Sequence, residues 1–113
     1  MKRGEIYLAY LNLNKDKEVG KLRPVLILQS DFLNEVNHPT VIILPLTTQL
    51  IDNAYPLRYR ISKRGKLRQD SDVLCDQIRS ISIQRIKDDL ICKVYDDEMI
   101  EIEKQVKLVL DFN

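Results

Sequence analysis

The sequence is organised around the stretch Gly20-Lys21-Leu22-Arg23-Pro24-Val25-Leu26-Ile27-Leu28-Gln29-Ser30-Asp31. A short, uninterrupted apolar run closed by Ser and Asp is typical of a strand buried on both faces, which we predict over residues 22–28. Pro24 has no N–H to donate, so we expect it at the first residue of that strand. Arg23 then lies at the N-terminal end of the strand, where its guanidinium can bind an anion. The alternative is a surface arginine in a loose ion pair.

Length and composition indicate one soluble globular domain over residues 1–113. No apolar run approaches the ~18 residues that a membrane span needs, and the first residues lack the apolar segment of a signal peptide. Cys75 and Cys92 do not have the spacing of metal ligands. We therefore expect buried or free thiols in a cytoplasmic protein.

The charges are unevenly distributed, although the net charge of +1 indicates no partner by itself. One stretch concentrates basic side chains with no acidic residue between them: Arg58, Arg60, Lys63, Arg64, Lys66 and Arg68. The segment from Asp96 onward has an acidic excess. A local basic patch is typical of a protein that binds phosphates, although a solvated charged loop is the commoner cause.

Hydrophobic periodicity predicts a mainly β protein. Apolar or alternating runs indicate strands over residues 4–11, 22–28, 40–46, 56–61, 71–76, 78–81 and 90–95. Residues 12–21 are predicted to be a polar loop, and Pro45 should end the ladder of its strand or create a bulge. Many short strands without a βαβ rhythm favour a strongly bent antiparallel sheet or a partly open barrel.

Two short helical turns and one long helix complete the prediction. The turns cover residues 32–36, after a cap at Ser30 or Asp31, and the residues after Ser82. The long helix starts at Asp96 or Asp97. Its buried stripe is expected to contain Met99, Ile102, Val106 and Val109.

Most enzyme signatures are absent from the sequence. It has no Gly-rich phosphate loop, no His/Cys metal cluster and no Ser-His-Asp set. His38 is the only histidine, so a nuclease with two catalytic histidines is excluded within one chain. The remaining polar groups at predicted strand ends are Arg23, Thr47, Thr48, Asp76, Gln77 and Arg79.

Asp76 interrupts the otherwise apolar run Val73-Leu74-Cys75-Asp76-Gln77-Ile78. A charge within a buried strand should be paired or used in function. A salt bridge with Arg79 or Arg23 is the structural alternative to a catalytic role.

Four segments carry a resemblance to a known family. They are Arg3-Gly4-Glu5-Ile6-Tyr7, Gly20 through Arg23-Pro24-Val25-Leu26-Ile27, Pro45-Leu46-Thr47-Thr48-Gln49, and Asp76-Gln77-Ile78-Arg79-Ser80-Ile81. In this order and at this spacing they resemble the MazF/PemK toxins, including Kid-like members, from about Lys2 to Phe112. The closing Val109-Leu110-Asp111-Phe112 is also similar to the end of that family.

The resemblance implies an SH3-like small antiparallel β-barrel with short helices and a C-terminal helix, the CcdB/MazF-type toxin fold, acting as a homodimer. It implies a sequence-specific mRNA interferase that cuts single-stranded mRNA independently of the ribosome. Such toxins use no metal or other cofactor and leave a 2′,3′-cyclic phosphate and a 5′-hydroxyl. A cognate MazE-like antitoxin holds them inactive, typically through an acidic tail laid over the RNA groove.

Carried over to this chain, the resemblance makes Arg23, Thr47 and Asp76 catalytic. Arginine suits phosphate clamping, so Arg23 would stabilise the phosphorane, and Thr47 would donate to a non-bridging oxygen. Asp76 could act as the base if it is buried. Leu74 departs from Kid-like members, which have an arginine two residues before that aspartate, so their general acid is missing or replaced here.

The RNA contacts expected beside these residues are Thr48, Gln49, Arg58, Arg60, Lys63, Arg64, Lys66, Arg68, Gln77 and Arg79. Two alternatives remain open. A gyrase poison of the CcdB type acts through a C-terminal end that carries tryptophan, and this chain has none. A small barrel that only binds RNA or a protein would use the same positions for plain phosphate contacts.

Overall fold

The computed structural model describes residues 1–12 and 22–112. In these residues the elements are β1 Glu5–Tyr10, β2 Leu22–Ile27, α1 Asp31–Glu35, β3 Thr40–Thr47, β4 Arg58–Ile61, β5 Ser71–Leu74, β6 Arg79–Ser82, β7 Ile86–Lys93 and α2 Asp96–Leu110. A single 3-10 turn, Ile83–Arg85, joins β6 to β7. Each predicted strand is confirmed with shifted ends, whereas most of the predicted loop over residues 12–21 lies outside the described residues.

The strands form one bent antiparallel sheet in the order β4-β5-β3-β2-β1-β7. Strand β3 is central, because its first half pairs with β6, its last residues pair with β5, and β2 lies on its other side. Strands β4 and β7 stand at the two ends of this path, so the sheet is a partly open barrel. The mainly β architecture with a C-terminal helix is therefore confirmed.

Both prolines of the central strands lie inside paired segments. Pro24 is the third residue of β2, opposite Leu8, so the prediction that it would begin the strand was wrong. On β3, the ladder with β6 ends at Ile43 and the ladder with β5 begins at Leu46. Pro45 lies between these two ladders, where its missing N–H interrupts neither of them.

Helix α2 closes the larger of two apolar clusters. Its side chains Met99, Ile102 and Val106 are buried as predicted, while Val109 is only partly buried. Gln105 is also buried, and its amide nitrogen donates to the carbonyls of Arg58 (2.8 Å) and Pro56 (3.0 Å). The helix therefore supplies apolar packing and also covers backbone groups at the edge strand β4.

Local capping agrees with the sequence. The N–H of Phe32 donates to Ser30 Oγ (3.1 Å) and the N–H of Gln84 donates to Ser82 Oγ (3.3 Å), which confirms both predicted caps. Cys75 and Cys92 are buried free thiols. Neither helix in the described part of the chain is long and apolar enough to cross a membrane.

The core position of Ile102 predicts a large effect on stability. Ile102 is fully buried, so Ile102→Ala should lower the free energy of unfolding by about 2–5 kcal/mol through lost packing and a cavity. Ile100, on the same helix, is 58% exposed, and Ile100→Ala should change it by less than about 0.5 kcal/mol. Urea unfolding of the two variants beside the wild type measures this difference. Equal losses would show that α2 is not packed as described.

Candidate functional site

The pairing of β2 with β3 brings Arg23 and Thr47 together. Val25 lies opposite Pro45, and the same register continued by two residues places Arg23 level with Thr47. Arg23 is exposed and Thr47 is half-buried. Both residues line one cleft of about 210 Å³, whose other walls are Leu22, Pro24, Leu46, Thr48 and Ser71. Two of the three predicted catalytic residues therefore share a cleft.

The Thr47 hydroxyl is held by the turn that follows β3. The backbone N–H of Gln49 donates to Thr47 Oγ1 at 3.1 Å, which fixes the position of this oxygen. The hydroxyl hydrogen remains available to donate to a ligand. Thr48 is exposed on the wall of the same cleft. The Ser71 hydroxyl on another wall donates to the Gln69 carbonyl at 3.0 Å. The cleft thus offers the guanidinium of Arg23 and the hydroxyls of Thr47 and Thr48, which are groups that bind a phosphate.

Asp76 lies outside strand β5, whereas the sequence predicted it within that strand. Strand β5 ends at Leu74, and the N–H of Gln77 donates to the Leu74 carbonyl at 3.2 Å to close a turn. This turn leaves the side chains of Asp76 and Gln77 exposed, so the prediction of a buried carboxylate was wrong. Asp76 does not line the cleft of Arg23 and Thr47.

The salt bridge considered for Asp76 is also not observed. Within the described residues, Asp76 has no basic partner, and Arg79 instead donates to the carbonyl of Leu11 at 3.0 Å. Leu74, which stands where Kid-like members have an arginine, is buried and does not line the cleft. Asp76 therefore joins Gln77 in an exposed turn after β5.

The buried carboxylate of this region is Asp72, which the sequence reasoning missed. Its side chain is 1% exposed and accepts hydrogen bonds from Arg60 Nε (2.9 Å), Arg58 Nη1 (3.1 Å) and the N–H of Ile51 (3.0 Å). Burial raises the pKa of Asp72, but these three donors outweigh burial and hold the pKa below its ordinary value. The sequence does contain a signal for this carboxylate. Arg58 and Arg60 lie at alternate positions of one predicted strand, and two arginines on one face of a strand favour an acidic residue on the neighbouring strand.

Ion pairs with carboxylates neutralise several of the side chains in the basic stretch. Arg58 and Arg60 share Asp72, Arg60 also bonds Asp52 (2.5 Å), and Lys66 bonds Asp89 (2.8 Å). Among the described residues, Lys63 and Arg68 have no carboxylate partner for their side chains. Lys63, Lys66 and Arg68 line one wide groove of about 770 Å³. The basic stretch is therefore smaller as a phosphate-binding surface than its sequence indicates.

The side chain of Arg64 has a structural role. Its guanidinium donates to both carboxylate oxygens of Glu98 and to the backbone carbonyl and hydroxyl of Ser62, and it stacks 4.4 Å over the ring of Tyr95. A guanidinium with its donors used in this way has little left to offer an RNA phosphate. The contact instead ties the turn after β4 to the start of α2.

The described residues contain no group of three or more His, Cys, Asp or Glu side chains placed to hold a metal ion. His38 is exposed in the segment between α1 and β3. The chemistry that the cleft itself supplies is that of one guanidinium and neighbouring hydroxyls.

The family of the chain follows from comparison with known proteins. Residues 2–110 match the model of the PemK-like, MazF-like toxins of type II toxin–antitoxin systems. The chain belongs to this family. The resemblance seen in the four sequence segments is thereby confirmed.

Curated and solved relatives agree with this assignment. The chain is similar to a protein named Endoribonuclease MazF from Staphylococcus epidermidis, with 34% identity over all of this chain and 93% of that protein. Its fold is similar to that of the Mycobacterium tuberculosis toxin MazF-mt6, with a TM-score of 0.78 at 23% identity over 96% and 98% of the two chains. It is also similar to a MazE-MazF structure from Deinococcus radiodurans, with a TM-score of 0.74 at 18% identity over 100% and 97%.

The contact between Glu98 and Arg64 predicts a pH dependence of stability. Burial raises the pKa of Glu98, but hydrogen bonds from Arg64 and from the N–H of Tyr95 outweigh it and hold the pKa below its ordinary value. A carboxylate of this kind stabilises the fold above its unfolded pKa, and its contribution is lost as the pH falls through the folded pKa. We expect the free energy of unfolding to decrease below about pH 4, and Glu98→Gln to remove part of that decrease.

Urea unfolding from about pH 7 down to about pH 3 measures this effect. Glu101→Gln is the matched control, because the Glu101 side chain on the same helix is 46% exposed and pairs with Lys104 (3.4 Å), and such surface pairs contribute little. A pH dependence that is the same in Glu98→Gln and the wild type would contradict the assignment.

Proposed function

We propose that this MazF-like toxin is a sequence-specific, ribosome-independent endoribonuclease whose scissile phosphate binds in the cleft between β2 and β3. The observation that carries the proposal is the convergence of Arg23 and Thr47 on that cleft. Membership of the toxin family supports it, as does the 34% identity to a protein named as an endoribonuclease. Cleavage of mRNA in this way would stop translation and growth.

Arg23 is the group that meets the charge of the transition state. The 2′-oxygen attacks the adjacent phosphorus, its proton passes to a base, and the bond to the 5′-oxygen breaks to leave a 2′,3′-cyclic phosphate. The departing 5′-oxygen takes up a proton and becomes a hydroxyl. Negative charge accumulates on the phosphorane between these steps, and a guanidinium can bind two of its oxygens at once.

Thr47 complements Arg23 from the facing strand. Its oxygen is fixed by the N–H of Gln49, so its hydrogen can be directed at a non-bridging phosphate oxygen. A donor already fixed in place stabilises the developing charge without reorganisation. Thr48 adds a second hydroxyl on the same wall, and we assign it to substrate binding.

The base is assigned to Asp76 on the family resemblance alone. Its carboxylate is exposed and has no basic partner within the described residues, and it does not line the cleft. To act as the base it has to come within hydrogen-bond distance of the 2′-hydroxyl next to the bound phosphate, so this assignment is the one that the structure supports least. Asp72 is excluded as the base, because it is buried and its oxygens already accept hydrogen bonds from three residues.

The partners follow from the same proposal. Two of the solved relatives are an endoribonuclease in complex with its cognate antitoxin from Mycobacterial species and MazE-MazF from Deinococcus radiodurans. We assign to this chain a MazE-like antitoxin, whose acidic tail would compete with RNA for Lys63, Lys66 and Arg68. The toxin acts as a homodimer in the cytoplasm, where mRNA is available.

Removal of the two cleft residues should abolish or weaken cleavage without unfolding the protein. We expect Arg23→Ala to lower kcat by about 10²–10³-fold or more, because a charged donor to the phosphorane is lost. Thr47→Ala should lower it by about tenfold or more, whereas Thr47→Ser, which keeps the hydroxyl, should retain most activity. Asp76→Asn tests the base in the same series.

The assay incubates the purified protein with a long, weakly structured RNA in the presence of EDTA and maps the new 5′ ends. Cuts at one recurring short sequence would support the proposal and identify the recognition site. Full activity of folded Arg23→Ala would overturn the assignment of Arg23. If a folded, antitoxin-free wild type cuts no RNA, the gyrase-directed alternative is tested next by DNA supercoiling.

The unpaired basic side chains should govern RNA affinity. We expect Lys63→Ala and Arg68→Ala each to weaken binding of a non-cleavable single-stranded RNA and to reduce the slope of log K against log salt by about 0.7. Lys104→Ala on α2, whose side chain is 65% exposed, is the matched control and should leave the slope unchanged. Equal slopes in all four proteins, measured by fluorescence anisotropy, would remove Lys63 and Arg68 from the RNA groove.

A further inference from the structure

Asp72 lies directly beside the residue that we place at the scissile phosphate. It is opposite Thr47 in the ladder between β3 and β5, and opposite Arg60 in the ladder between β5 and β4. Directly opposite residues on antiparallel strands project from the same side of a sheet. Thr47, Asp72 and Arg60 therefore form one row across three strands, with the buried carboxylate at its centre.

We name residues 48–51, which follow β3, the exit segment. The Asp72 carboxylate holds this segment in place by hydrogen bonds. The N–H of Ile51 donates to Asp72 Oδ2 at 3.0 Å. Arg58 Nη1 donates to the same oxygen at 3.1 Å and to the carbonyl of Gln49 at 2.9 Å. One carboxylate and one guanidinium thus hold the middle and the end of the exit segment.

These contacts lead back to the catalytic hydroxyl. Gln49, whose carbonyl Arg58 holds, is the residue whose N–H donates to Thr47 Oγ1. Arg60 Nε donates to the Oδ1 of Asp72, and the same guanidinium also bonds Asp52, the residue that follows the exit segment. The position of the Thr47 oxygen therefore depends on a network that converges on Asp72.

Fold stability alone does not account for a buried charge at this position. An ion pair taken out of water gives little net stabilisation compared with apolar residues of similar volume. The hydrogen bonds of Asp72 come from Ile51 of the exit segment and from the side chains of Arg58 and Arg60, and no core backbone group depends on them. What the carboxylate gives the protein is a fixed conformation of the chain beside the cleft.

We propose that Asp72 is a positioning residue of the cleavage site, which fixes the exit segment and thereby the orientation of the Thr47 hydroxyl without touching RNA. This inference rests on the proposed function. It differs from the family resemblance, which singled out Asp76 in the exposed turn and gave Asp72 no role.

The test is Asp72→Asn, which keeps the shape of the side chain and removes its charge. Because displacement of a catalytic group by about 1 Å can cost on the order of 100-fold, we expect kcat to fall by about 10- to 100-fold. KM should stay within about twofold, since Asp72 makes no contact with substrate. Ile102→Ala is the control for an effect of lost stability on activity. At temperatures below its thermal unfolding midpoint this variant should keep the wild-type kcat.

A double-mutant cycle separates positioning from general damage. If Asp72 acts through Thr47, Asp72→Asn should cost less than about twofold in kcat when Thr47 is already alanine. Equal losses in the two backgrounds would overturn the inference. Amide hydrogen exchange provides a readout independent of activity, because the N–H of Ile51 loses its charged acceptor and should exchange faster in Asp72→Asn than in Ile102→Ala.

Arg58→Gln keeps the test decisive if Asp72→Asn does not fold. This variant leaves Asp72 paired with Arg60 but loses the bond to the Gln49 carbonyl, so kcat should fall while KM is unchanged. A rise in KM alone would show that Arg58 binds RNA and would overturn its place in the network.

The two proposals fail in different ways. A cutting wild type beside a fully active, folded Asp72→Asn would overturn this inference alone. A wild type that cuts no RNA would overturn the proposed function, and the positioning role with it.

Discussion

The structure depends on the antiparallel pairing of β2 with β3, in which Val25 lies opposite Pro45. This pairing joins the half of the sheet that contains β1 and β7 to the half that contains β4 and β5. It also places Arg23 level with Thr47. Both faces of β2 are buried, with Leu26 in one apolar cluster and Val25 and Ile27 in the other. A slip by one residue would exchange these side chains between the two clusters and move Arg23 away from Thr47, so the packing of β2 and the position of Arg23 depend on the same register.

The charges of the protein divide into two groups with different consequences. Arg58, Arg60 and Arg64 are bound to carboxylates and have defined conformations. Arg23 and Lys63 have no carboxylate partner within the described residues and can meet an external anion. A basic stretch in a sequence thus combines side chains that organise the protein with side chains that stay open to an external anion, and only their partners in the folded chain distinguish them.

Much of the fold was predictable from the sequence, because strand and helix periodicity depends on neighbouring residues. Two such local features are the position of Arg23 near the start of its strand and the buried stripe of α2 that contains Ile102. Asp76 was misplaced because an apolar run does not show where a strand ends and a turn begins. Asp72 was missed because its role depends on Arg58 and Arg60, which become its neighbours only when β4 pairs with β5.

The arrangement around Thr47 shows how a small barrel can hold a hydroxyl in place at the end of a strand. The chain beyond β3 has no regular structure until β4 begins, so backbone hydrogen bonding alone does not fix it. A buried carboxylate on the adjacent strand β5 supplies the missing partners, directly to Ile51 and through Arg58 to Gln49. Asp72 can do this because Arg58 and Arg60 compensate its charge. The chain beyond β3 is therefore held by the same arginines that the sequence presents as part of a binding patch.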